Sequence, residues 1–191
     1  MKQRWLIVIS ILVVLGAGLW FALPEAPGTM REGDQITNLS LPDLQGAMQT
    51  LPKGEIILLN FWATWCPPCR KEIPSMVELH KKLSSQGLKI IAVSVDKNRD
   101  DLETFVKEHQ MPFMVLHDSD SVAARQYGVF RFPETFLIDR QGRVRHRLVG
   151  EVEWMTEPMI QVLTQMLEEP EQNRNREVRG VSDEQSGSGP T

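Results

Sequence analysis

The junction at residues 56–73 constrains the fold more than any other stretch. An unbroken apolar run, Ile56 to Phe61, leads through Trp62-Ala63-Thr64-Trp65 into Cys66-Pro67-Pro68-Cys69. Apolar residues then recur at helical spacing at Ile73, Met76, Val77, Leu79 and Leu83. A continuous apolar run of this length predicts a central strand buried on both faces. The helix runs to about Gln86, where Gly87 supplies a C-terminal stop. Pro74 interrupts its pattern and predicts a kink.

The rest of the chain extends this pattern. Leu39 to Lys53 reads as a small hairpin turned by Asp43 and Gly46, and Leu88 to Val95 as a second strand. A polar-faced helix is expected over Asp100–Gln110, a short strand over Phe113–His117 and a short helix over Val122–Tyr127. Thr135–Ile138 and Val144–Val149 form a hairpin across Asp139-Arg140-Gln141-Gly142, and Glu153–Leu167 closes the fold as an amphipathic helix. Strands joined by helices run parallel, whereas the final pair is antiparallel. The fold class is therefore an α/β sandwich with a mixed central sheet, over residues 35–168. After Glu168 the composition turns to Glu, Gln, Asn, Arg, Ser and Gly, which predicts a disordered tail over 169–191.

Lys2 and Arg4 precede an apolar run, Trp5 to Leu23, in which Ser10 is the only polar side chain. Its length approaches the ~20 residues that span a bilayer as a helix. The basic tip stays in the cytoplasm, which exports the chain beyond Leu23. The expectation is a single-pass transmembrane helix over residues 1–23 in the inner (cytoplasmic) membrane, a linker over 24–34, and a domain on the periplasmic side. A cleaved signal peptide is the alternative; its apolar region is usually shorter, about 7–15 residues. The formal net charge of −4, with charges mixed along the chain, excludes the clustered basic face of a nucleic-acid partner.

Cys66 and Cys69 are the only cysteines. A bridge across two residues closes too short a loop to gain much as a staple, so the pair reads as chemistry. With Cys66 at the helix start, Pro67 fits the first turn. The amides of Cys69 and Arg70 are expected to face the Cys66 sulfur and, with the helix dipole, to favour a thiolate. Cys66 is then the attacking sulfur and Cys69 the resolving one. The redox-active disulfide is the whole of the implied apparatus: no other cofactor is called for, and no metal. A zinc site lacks a second cysteine pair, and His80, His109, His117 and His146 are scattered.

Asn60-Phe61-Trp62-Ala63-Thr64-Trp65-Cys66-Pro67-Pro68-Cys69-Arg70-Lys71-Glu72 resembles the thioredoxin superfamily, and within it the membrane-anchored TlpA/ResA/CcmG-type branch. Phe132-Pro133-Glu134-Thr135-Phe136-Leu137-Ile138-Asp139 is similar to that branch's second signature. The resemblance implies a thioredoxin-like fold and makes Pro133 a cis-proline facing the dithiol, leaving the Phe132 backbone free to pair with a substrate chain. It implies that Glu72 tunes the cysteines' proton affinity; a solvated surface carboxylate is the alternative. Glu134 is a second acidic position near the site under the same alternative. Trp65, Pro67 and Pro68 flank the dithiol, and Trp62 serves partly as core. Cytosolic thioredoxins carry a buried aspartate where this chain has Asn60, which leaves proton handling to Glu72.

The implied activity is thiol-disulfide exchange on exported protein disulfides, of which apocytochrome c during cytochrome c maturation is one. A membrane electron donor of the thiol-transfer type restores the dithiol. A disulfide oxidase or isomerase remains the alternative, because direction depends on potential. A copper chaperone lacks its wider cysteine spacing and histidine ligand, and a thiol peroxidase lacks its Pro and Thr, here Leu59 and Ala63.

Overall fold

The computed structural model describes residues 29–169. The apolar run Trp5–Leu23, the linker up to residue 28 and the tail from residue 170 lie outside the described residues. Among the described residues no helix is long and apolar enough to cross a membrane.

A two-stranded hairpin, β1 (Ser40–Pro42) and β2 (Met48–Thr50), comes first, followed by β3 (Ile56–Trp62), α1 (Pro67–Leu83), β4 (Leu88–Ser94), α2 (Arg99–Glu108), β5 (Met114–His117) and α3 (Val122–Gln126). The chain closes with β6 (Glu134–Ile138), β7 (Val144–Val149) and α4 (Glu157–Glu168). The central sheet has the order β5-β4-β3-β6-β7. β3, β4 and β5 are parallel, because α1 and α2 carry the chain back between them. β6 lies antiparallel to β3, and β7 antiparallel to β6. This is the mixed sheet of a thioredoxin-like fold. Every residue of β3 and of β6 is buried, as helices covering both faces require.

The helix α1 continues through Pro74, which stands exposed and removes one N–H from the ladder without ending it. Two expectations shift. The last helix begins at Glu157, not Glu153: Thr156 at the N-cap position is extended, with its hydroxyl donating back to the Glu153 carbonyl, a proline occupies the first turn, and Trp154 in the preceding loop is fully buried. The packed domain also starts before residue 35. Met30 is buried, its N–H donates to the Tyr127 carbonyl, and the Gly33 N–H donates to the Val144 carbonyl at 2.7 Å.

That N-terminal segment lies so close to the chain after α3 that a side chain does not fit between them. Gly128 has φ +69°, and a Cβ there would stand 2.6 Å from the Thr29 Cα. Gly46, in the β1–β2 turn, has φ +83° and open space around it. We expect Gly46→Ala to cost about 1–2 kcal/mol from backbone strain alone. Gly128→Ala should cost about 1–3 kcal/mol more through the clash. Urea denaturation of both variants measures the difference.

Candidate functional site

The β3–α1 junction places the cysteine pair at the C-terminal end of the central strand. Cys66 is the N-cap of α1 and is bonded to Cys69 in a disulfide. Pro67 and Pro68 occupy the first two helical positions, where no N–H is needed; Pro67 is exposed and Pro68 half-buried. The Cys69 N–H donates to Cys66 Sγ at 3.3 Å. The Arg70 N–H does not join it: it donates to the Cys66 carbonyl at 3.1 Å, the first helical hydrogen bond. The sulfur therefore has one backbone donor, not the two expected. Cys66 retains 4% exposure and Cys69 none, so Cys66 is the sulfur nearer solvent, although both are more enclosed than a freely exposed helix start.

The loop before β6 closes the other side. The Phe132–Pro133 bond is cis. β3 and β6 pair with Phe61 opposite Glu134, so Pro133 falls at the end of the sheet from which Cys66 emerges. The Trp65 and Phe132 rings meet edge to face, 6.1 Å between centroids. Trp65 is 63% exposed and Phe130, two residues before Phe132, 70%. Trp65, next to Cys66, and Phe130, in the loop before Pro133, thus stand in solvent. Neither the N–H nor the C=O of Phe132 has a hydrogen-bond partner among the described residues.

Glu72 is buried, and a solvated surface carboxylate does not describe it. It lies one turn after Cys69, a spacing that puts the two on the same helix face. Its Oε1 accepts from Asn60 Nδ2 at 2.7 Å and its Oε2 from the Val152 N–H at 3.2 Å. Burial pushes its pKa up from 4.5 to about 7, against the downward pull of the Val152 and Asn60 donors; the nearby charge of Glu151 adds to the rise. The Trp154 indole lies close enough to favour the carboxylate slightly, yet its Nε1 makes no hydrogen bond of ordinary geometry. Asn60 also donates to Thr135 Oγ1 at 2.9 Å. It therefore links the acid on α1 to the strand that follows Pro133.

Glu134 is equally buried, but it is engaged elsewhere. It forms an ion pair with Arg147 of β7. Trp62 is fully buried and stacks against Phe105 as core.

Two contributors were not legible in the sequence. The Asp96 carboxylate accepts from the Thr64 N–H at 3.0 Å, Thr64 Oγ1 at 2.7 Å and Ser94 Oγ at 2.6 Å. It thereby ties the loop that carries Trp65 and Cys66 to the end of β4. Arg147 is the other. Asp96 lies 32 residues from Thr64 and Arg147 thirteen from Glu134, and no local motif marks either. Among the described residues no group of three or more His, Cys, Asp or Glu gathers as a metal site.

A dithiol at the N-terminus of the first long helix, beside a proline loop on a mixed sheet, defines a thioredoxin-like thiol-disulfide oxidoreductase. Residues 32–147 match the model of the AhpC/TSA family, and the chain belongs to that family. It is 36% identical over 165 residues to the thiol-disulfide oxidoreductase ResA of Bacillus subtilis (strain 168), covering 83% of this chain and 90% of that one. It is 36% identical over 156 residues to the ResA of Bacillus thuringiensis subsp. konkukian, covering 78% and 90%. Among solved structures it is similar to a candidate thiol:disulfide interchange protein DsbE of Chlorobium tepidum, at 32% identity and TM-score 0.68, over 73% of this chain and 99% of that one. It is also similar to StoA of Bacillus subtilis, at 26% identity and TM-score 0.57, over 67% and 96%.

The Glu72 shift has a sign that stability measurements read. Between its unfolded value of 4.5 and its folded value of about 7, the native state holds more protons than the unfolded chain. Its contribution is intact below pH 4.5 and is lost as pH rises through the folded value, by roughly 3 kcal/mol in all. We expect the oxidised protein, whose cysteines do not titrate, to lose stability relative to Glu72→Gln across this window. Urea unfolding of both proteins as a function of pH checks this.

Proposed function

We propose that this thiol-disulfide oxidoreductase is anchored in the cytoplasmic membrane by residues 5–23. It works on the extracytoplasmic side as a reductant of disulfides in exported proteins, the Cys-x-x-Cys-His segment of apocytochrome c among them. The observation that carries the direction is the single backbone donor on Cys66 Sγ. Strong dithiol oxidants owe their potential to a stabilised reduced form. Here Pro67 and Pro68 remove two N–H groups from the first turn, and Arg70 spends its own on the helix.

The chemistry follows from the two sulfurs. The Cys66 thiolate attacks one sulfur of the substrate disulfide. A mixed disulfide forms and the other substrate sulfur leaves as a thiolate, which takes a proton. The Cys69 thiol then gives its proton to Glu72 and attacks Cys66 Sγ. The second substrate thiolate departs, and the pair ends as the Cys66–Cys69 disulfide. Two electrons pass to the substrate. Glu72 suits this transfer because a carboxyl group with a pKa near 7 both takes and returns a proton at neutral pH. A membrane dithiol donor must then supply two electrons to reopen the disulfide.

The Phe132 backbone, unpaired among the described residues, offers an extended substrate segment two hydrogen bonds, while Trp65 and Phe130 offer apolar contact. The length of the Trp5–Leu23 run supports the anchor.

Equilibration of the protein with glutathione tests the direction. We expect a potential near the thioredoxin value, about −270 mV, and a value above roughly −180 mV reverses the assignment. In the native host, Cys69→Ser should hold its substrates on Cys66 as mixed disulfides. Mass spectrometry then identifies them, and the cytochrome reading fails when no apocytochrome or apocytochrome-handling protein is among them.

A further inference from the structure

Arg147 lies on β7, far in sequence from the dithiol, yet its guanidinium meets both ends of the loop that carries Phe130, Phe132 and Pro133. Its Nε pairs with the buried carboxylate of Glu134, the residue that follows Pro133. Its Nη2 donates to the Gly128 carbonyl, where the loop begins, at 3.3 Å. Its Nη1 donates to the Met30 carbonyl at 3.3 Å, which brings the N-terminal segment into the same knot. The group lies 5.8 Å from the centroid of the Phe136 ring, over its face. A planar fork with five donors can hold three acceptors at once in fixed directions, and an ammonium cannot do so in that geometry.

Between these ends the loop is held at its flanks: the Val129 N–H donates to the Ala124 carbonyl at 2.8 Å, Val129 is buried, and the Gly150 N–H donates to the Pro133 carbonyl at 2.8 Å. Its middle is freer: Phe130 is 70% exposed, Arg131 is exposed, and Phe132 has no backbone partner among the described residues. Cross-strand pairing begins only at Glu134.

We propose that Arg147 is a positioning residue for substrate recognition. It clamps the two ends of the Gly128–Glu134 loop so that Phe130 and the Phe132 backbone are set before a protein substrate arrives. Glu134 serves as the anchor of that clamp. The proposal rests on the reading of this loop as the surface that meets the substrate. A pre-set loop spares the substrate the cost of ordering it, so the clamp acts on binding of a polypeptide. A small disulfide that reaches only the sulfurs does not need it.

Arg147→Ala strands Glu134 as a buried unpaired charge and endangers folding, so the test uses Arg147→Lys, which keeps the ion pair and loses the fork. The pre-reduced full chain is mixed in single turnover with a synthetic peptide carrying a Cys-x-x-Cys-His disulfide, and separately with hydroxyethyl disulfide. We expect the half-saturating peptide concentration to rise by about 5-fold, the loss of one or two hydrogen bonds' worth of order, with the maximal rate within about two-fold. The rate with hydroxyethyl disulfide and the glutathione equilibrium constant should not move.

Unchanged peptide saturation in Arg147→Lys overturns the clamp. An equal fall with both disulfides, or a shifted glutathione equilibrium, also overturns it, since Arg147 would then act on the dithiol or on the whole fold. Phe130→Ala separates this from failure of the underlying reading. When peptide saturation is indifferent to Phe130, the loop does not meet the substrate and the clamp falls with it. When Phe130 matters and Arg147 does not, the clamp alone fails.

Discussion

The first turn of α1 is short of hydrogen-bond donors, and the reductive direction proposed above rests on that shortage. A helix start normally presents several free N–H groups to whatever caps it. Here two of those positions are prolines, one amide closes the helix onto the Cys66 carbonyl, and one reaches the Cys66 sulfur. The sulfur, bonded to Cys69, receives a single backbone donor. β3 sets the location of this turn, because a strand buried on both faces fixes where its last residue emerges. Asp96 sets its orientation by gripping Thr64 two residues before the cysteine.

The second determinant is a carboxyl group out of water. Glu72 is fully enclosed and has three polar neighbours, which is enough to keep it ionisable and too few to keep it a strong acid. Asn60 is central to this balance. It donates to the acid and to Thr135 and cannot itself take the proton. An aspartate there would place two carboxyl groups in one apolar space. In the exchange proposed above the amide leaves the proton to Glu72, and hydrogen bonds run from that acid through Asn60 to the strand beyond Pro133.

The sequence made the local features plain and the distant ones invisible. The strand–dithiol–helix junction, the β-α-β order and the closing hairpin all show as period and punctuation within windows of ten to twenty residues, and the order of elements survived. Boundaries moved where an extended N-cap residue or a buried aromatic outweighed the apolar pattern, as at Thr156 and Trp154. Glu72 is marked by the family resemblance, and helical spacing puts it on the Cys69 face. Its Asn60 contact joins residues twelve apart across the turn, and only the fold reveals it. Asp96 and Arg147 carry no signature, since an aspartate after a strand and an arginine on a half-exposed strand look like ordinary surface residues. The Glu134 carboxylate read as a site group by resemblance, while its partner sits thirteen residues on, across a hairpin.

The chain enters the described fold at one corner of the molecule. Thr29 rests against Gly128, and Met30 shares the Arg147 guanidinium with Glu134. One guanidinium thus joins the entering chain to both ends of the loop before Pro133, so a load on the chain ahead of Thr29 is shared with that loop.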